Sequence, residues 1–222
     1  MDIYLEVGKK RVFAGAIDWP GWCRSGQDEA SALQALVDYG PRYARILRPA
    51  QLGFKPPIEP SAFSIVERLE GNATTDFGAP AKAPTADKQP VNEKELQYFE
   101  SILKACWRAF DAAIKSAKGK ELRKGPRGGG RELERIIQHL LESDGGYLSS
   151  LGWKVKQIDM ADLSQALQRR RKEILEGLTA STHGEISARG PRGGLRWTPR
   201  YYVRRAAWHV VDHIWEIEDR IK

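Results

Sequence analysis

Hydrophobic and polar positions alternate from the start of the chain. Ile3, Leu5 and Val7 share one face and Asp2, Tyr4 and Glu6 the other, the two-residue period of a half-buried strand. Gly8 and Lys9 supply turn chemistry and Arg11 to Ile17 a returning strand, so a hairpin is predicted. AIDWPGWCRSG then ends that strand at a Pro-Gly turn. Asp28 or Ser25 stands ready to cap a helix carrying Ala30, Leu33, Leu36 and Val37, which Gly40-Pro41 should break or kink. A second alternation sets Phe63, Ile65, Glu67 and Leu69 against Ser64, Val66 and Arg68, and Thr74 to Phe77 reads as a short partner strand.

Beyond residue 91 the period changes to that of a helix. Asn92 can cap a helix with Leu96, Phe99, Leu103, Cys106, Phe110 and Ala113 on one stripe. GPRGGG (Gly125 to Gly130) precedes a second helix, with Leu133, Ile136, Ile137, Leu140 and Leu141, ending near Gly145-Gly146. Asp159 is placed to cap a third, with Leu163, Leu167, Ile174, Leu175 and Leu178. GPRGG (Gly190 to Gly194) precedes a fourth, running from about Thr198 to the last residues. The expected fold is a small α+β domain over 1–77, a Pro/Ala-rich linker over 78–91, and an all-α four-helix bundle over 92–222. Two stretches echo each other, KGPRGGGREL (Lys124 to Leu133) and RGPRGGLRW (Arg189 to Trp197), each leading into a helix with histidines.

Composition narrows the class. With 41% hydrophobic and 29% charged residues the chain has the balance of a globular protein. No apolar run approaches the ~20 residues that span a bilayer, and MDIYLEVGKKRVF lacks the pattern of an export signal. Cys23 and Cys106 stand far apart, which excludes a disulfide framework or a thiolate zinc site and suits a reducing cytoplasm. The net charge of +7 permits an anionic partner without choosing one. Between Glu185 and Asp212 there is no acid, yet Arg189, Arg192, Arg196, Arg200, Arg204 and Arg205 all occur, interleaved with Trp197, Tyr201, Tyr202 and Trp208. Such a stretch can bind single-stranded nucleic acid.

The basic stretch leads into HVVDH, where His209 and His213 lie four residues apart and so on one helix face. An isolated HxxxH is more often structural than ligating. His139, beside Ile136, Ile137 and Leu140 on the second bundle helix, adds a third imidazole that can face the pair. Imidazoles from two facing helices suit zinc, nickel, iron or copper. His183 falls in a predicted loop and is set aside.

With a single histidine on its second helix and RRAAWHVVDHIWEIEDR on its last, the stretch 92–222 resembles the DinB-like superfamily of metal-binding four-helix bundles. That resemblance implies His139, His209 and His213 as ligands of one divalent ion, zinc or nickel foremost, with positions open to water or substrate. It also implies hydrolytic or thiol/group-transfer chemistry on a small molecule. Residues 2–40, two strands running through DWPGWCRSG into DEASALQAL, resemble HicB-like domains, whose partners are a small toxin or nucleic acid. The candidate catalytic residues are Glu142, Arg135 and Arg205, the arginines for an anionic substrate. Glu216, three residues after His213, can reach the metal region as a base or outer-shell partner but reads foremost as part of a solvated acidic helix end; Asp212 reads as outer-shell support and Cys106 as core. Two alternatives stand beside the enzyme. One is a binding module for nucleic acid or protein, braced by a structural metal. The other is a metal-free domain whose histidines never meet, dimerising through an exposed Trp215.

Overall fold

The computed structural model describes residues 1–124 and 130–222; Gly125 to Gly129 of the first basic repeat lie outside the described residues. Strands β1 (Asp2–Val7) and β2 (Val12–Ala16) form the expected antiparallel hairpin, and β4 (Ser64–Glu70) lies parallel to β1. The expectation for residues after Ala16 needs correcting. The chain turns at Trp19 to Trp22, closed by Trp22 N–H donating to the Trp19 carbonyl at 3.1 Å, and adds strand β3 (Cys23–Gly26) along β2. The sheet order is β3-β2-β1-β4. Helix α1 (Glu29–Leu47) starts at a reciprocal cap between Asp28 and Ser31 and runs on through Pro41. Its apolar face continues past the proline in Tyr43, Ile46 and Leu47, all buried, and that packing outweighs the lost hydrogen bond. Residues Ala73–Phe77 form a short helix, α2, rather than a strand, because the Asn72 side chain accepts from the Thr74 and Thr75 N–H groups at 2.9 and 3.2 Å.

Both faces of this sheet are covered. Ile3, Leu5, Ala14 and Ala16 pack with Ala32 and Leu36 of α1, and Trp22 Nε1–H reaches the Leu36 carbonyl at 3.0 Å. Tyr4, Glu6 and Phe13 point the other way. Tyr4 lies across its strand neighbour Gly15, where a Cβ would come within 2.5 Å of the ring, so only glycine permits this arrangement.

The helical half consists of α3 (Glu93–Ala117), α4 (Leu133–Leu151), α5 (Leu163–Thr182) and α6 (Pro199–Arg220). Helix α6 packs on α3 and α4, and α5 lies against both of those helices. Asn92 caps α3 as expected. Helix α4 does not stop at Gly145-Gly146. Leu148 and Leu151 extend its buried stripe, Gly145 lies beside the Arg170 guanidinium, and the helix ends at Gly152 with φ 99°. Asp162, not Asp159, caps α5; Asp159 closes the preceding turn on Ala161 N–H at 2.9 Å.

Residues 78–91 are held at both sides. Glu6 accepts from the Ala81 and Lys82 N–H groups at 2.9 and 3.0 Å and from the Thr75 hydroxyl, while Glu67 accepts from Thr85 N–H at 2.7 Å. Asp87 binds Arg204 of α6 through two contacts of 2.7 Å. The buried core is continuous from Ile3 and Leu36 to Phe99, Leu140 and Val210. Cys23 and Cys106 are free and buried, with burial pushing each thiol up to about 12, so neither is a ready nucleophile. Among the described residues no helix is long and apolar enough to cross a membrane.

Candidate metal centre

Helix α6 is wedged between the sheet and the other helices, and Tyr201 to Val211 are all buried. Its four-residue spacing puts His209 and His213 on the face toward α4, which brings His139 to them. The three rings meet through the same atom. His209 Nε2 lies 3.2 Å from His139 Nε2 and 3.0 Å from His213 Nε2. One ligand atom from each residue falls within 4.8 Å of the other two. The reading in which the histidines never meet is therefore overturned.

The three nitrogens are close enough together to hold one metal ion. His213 Nδ1 lies 2.7 Å from Glu216 Oε2, and a neutral imidazole carries one N–H; assigned from this bond, the hydrogen is on Nδ1 and the Nε2 lone pair faces the other rings. Burial would raise the Glu216 carboxyl, but the hydrogen bond from His213 and the Arg220 guanidinium hold it below the ordinary range and keep it an acceptor. His209 is driven well below its ordinary value by burial first and by His213 and His139 next. His139 is lowered by burial, then by Arg131. Both rings are thus neutral near pH 7, with lone pairs to give.

An apolar wall backs the centre. Trp208 stacks on His209 with ring centroids 6.0 Å apart and meets Phe13 of β2 edge-on at 6.2 Å. Tyr147 of α4 sets its ring against His209 at 5.8 Å, and His139 is the partly exposed member of the group. No family model, curated protein or solved structure matches this chain.

The other candidates are distributed differently. Glu142 and Arg135 bond to each other at 3.3 Å on the exposed side of α4, outside the histidine group. Arg205 is turned inward, donating to the Pro80 carbonyl and, at 3.0 Å, to the Tyr147 hydroxyl, so its fork is already engaged. Asp212 does not support the histidines; it pairs with Arg24 of β3 at 3.0 Å. Trp215 is 2% exposed and packs on Tyr39, so it offers no dimer surface. Sequence reasoning misplaced Glu216, which proves to be the partner of His213. The signal for it was the i,i+3 spacing from a ligand. His183 lies apart, bonded to Glu93 at 2.6 Å. Much of the acid-free arginine run is spent inside the protein: Arg200 on Glu95 and the Gln89 and Pro90 carbonyls, Arg204 on Asp87, and Arg196 on the Ser187 carbonyl.

Proposed function

We propose that the chain is a DinB-like protein of the reducing cytoplasm. In this reading His139, His209 and His213 hold one divalent ion, zinc or nickel, and the centre carries out hydrolytic or thiol/group-transfer chemistry on a small molecule. The observation that carries it is the convergence of three Nε2 atoms from two helices, one of them with its lone pair fixed inward by Glu216. Three neutral ligands with room for more is the donor set of a catalytic rather than a closed structural zinc site. The chemistry such an ion supplies is polarisation of a carbonyl and acidification of a thiol or water.

The residues of the chain have defined parts in this scheme. Burial keeps His139 and His209 unprotonated, and Glu216 orients His213. Trp208 and Phe13 keep water from the sheet side, which leaves the exposed edge of His139 as the approach for substrate. Arg131 lowers the His139 pKa through its charge and is therefore near enough to attract an anionic substrate there. Nucleic-acid binding by the arginine run is not favoured, since Arg200, Arg204 and Arg205 are engaged within the fold.

Metal analysis of untagged protein purified without chelator tests the proposal. Wild type is expected to carry about one ion per chain, and His209→Ala to retain under about a tenth of that under the same dialysis. Equal metal content in the two proteins overturns the reading.

A further inference from the structure

Two positions of α6 beyond the ligand pair share a helix face with His213: Glu216 and Arg220, at successive spacings of three and four. Their side chains form an unbroken series. His213 Nδ1 meets Glu216 Oε2 at 2.7 Å, and Arg220 Nη1 donates to Glu216 Oε1 at 2.7 Å. Arg220 Nε donates in turn to the Arg123 carbonyl at 2.8 Å. That last contact belongs to a clasp between two distant stretches. Arg123 N–H donates to the Arg220 carbonyl at 2.7 Å, the Arg123 guanidinium donates to the Asp219 carbonyl at 2.8 Å, and Leu122 bridges to Ile221. Gly130 passes over the guanidinium so closely that a Cβ there would lie 2.6 Å from Arg220 Nη2.

We infer that Glu216 and Arg220 are positioning residues for the histidine centre: the carboxylate sets which nitrogen of His213 faces His139 and His209, and the clasp at 121–124 and 219–222 holds the arginine that holds the carboxylate. This rests on the metal reading above. An exposed Glu–Arg pair one helical turn apart contributes little by itself. Here the carboxylate has a second duty, since its acceptor oxygen selects the Nδ1–H form of a ring that is buried on its other sides. Without it the proton can move to Nε2, which removes a lone pair from the centre. Outer-shell partners of this kind change metal affinity about 10–100-fold when removed.

The same chain provides readouts that separate positioning from bracing. Zinc affinity is measured by competition with a chromophoric chelator for wild type, Glu216→Ala, Glu216→Gln and Arg220→Met. Ring nitrogen resonances of His213 are recorded in metal-free protein. Glu216→Ala is expected to bind zinc about 10–100-fold more weakly. Glu216→Gln, which keeps an acceptor oxygen and the side-chain volume, should recover part of the loss, and Arg220→Met should lose less than Glu216→Ala. Metal-free wild type should show His213 protonated at Nδ1, with the proton shifting toward Nε2 in Glu216→Ala. Wild-type zinc affinity in Glu216→Ala, or an unchanged His213 proton position, overturns the inference while leaving the metal reading intact. A wild type that takes up no zinc overturns the metal reading and the claim on affinity with it, and the nitrogen resonances then decide whether Glu216 positions the ring.

Discussion

Asp87→Ala is expected to destabilise the folded chain by about 3–5 kcal/mol, because it strips the partner from a buried charge. Asp87 is 1% exposed and Arg204 6%. The guanidinium makes two 2.7 Å contacts to the carboxylate, donates to the Ala16 and Ile17 carbonyls at 2.6 and 3.0 Å, and lies over the Tyr4 ring. Burial opposes the arginine's charge, and the bonds and charge of Asp87 more than restore it, so its pKa stands above the ordinary value. This pair pins the segment 78–91 and the edge of β2 to α6, the helix that carries two of the three histidines. Chemical denaturation of Asp87→Ala and of the double variant Asp87→Ala/Arg204→Met tests the point. The double variant should recover much of the loss, since it removes the orphaned charge as well. A single-variant loss below about 1 kcal/mol, the range of exposed ion pairs, contradicts the claim.

Asp144→Asn should stabilise the protein by an amount that grows between about pH 4 and about pH 7. Asp144 lies in the interior of α4, where burial raises its carboxyl from 3.8 to about 7, against the pull of Arg170 and Arg171 on α5. Tyr202 of α6 and Tyr147 of α4 lie near it, and Glu173 is bonded to Arg170. The folded chain therefore keeps a proton that the unfolded chain gives up. Below about pH 4 both states are protonated and the group is neutral in its effect. As the pH rises from about 4 to about 7 the penalty grows, and above about 7 it levels off at about 4 kcal/mol for a gap of this size. Melting of both proteins from pH 4 to 8 in the metal-free state checks this. The advantage of the asparagine variant should be absent at pH 4 and widest at pH 8. An advantage of equal size at every pH contradicts the assignment.

Much of this architecture could be read from periodicity, and what could not shares one cause. Strand β4 and the stripe of α3 declare themselves because one face of each is turned inward and the pattern follows the burial. Strand β3 gave no such sign: Cys23–Gly26 is four residues of mixed character whose pairing is set by the turn before it. Pro41 and Gly145-Gly146 looked like helix ends because local propensity was the only guide, and tertiary packing of Tyr43, Leu148 and Leu151 overrode it. The histidine group was legible because two of the four histidines lie four residues apart on one helix and a third sits beside the apolar stripe of another. Its surroundings were not. Whether Arg204, Arg205 and Trp215 face water or protein depends on segment 78–91, α1 and α4, which pack around α6, and nothing in the spacing of α6 itself reveals that cover.

The central claim is that His139, His209 and His213 bind one ion at a common point. Crystals of zinc-loaded protein, with data collected on both sides of the zinc absorption edge, test it most directly. The account predicts one anomalous peak per chain, about 2.0–2.1 Å from the Nε2 atoms of all three histidines. A loaded protein whose only peak lies elsewhere, or touches fewer than three of these rings, would contradict it.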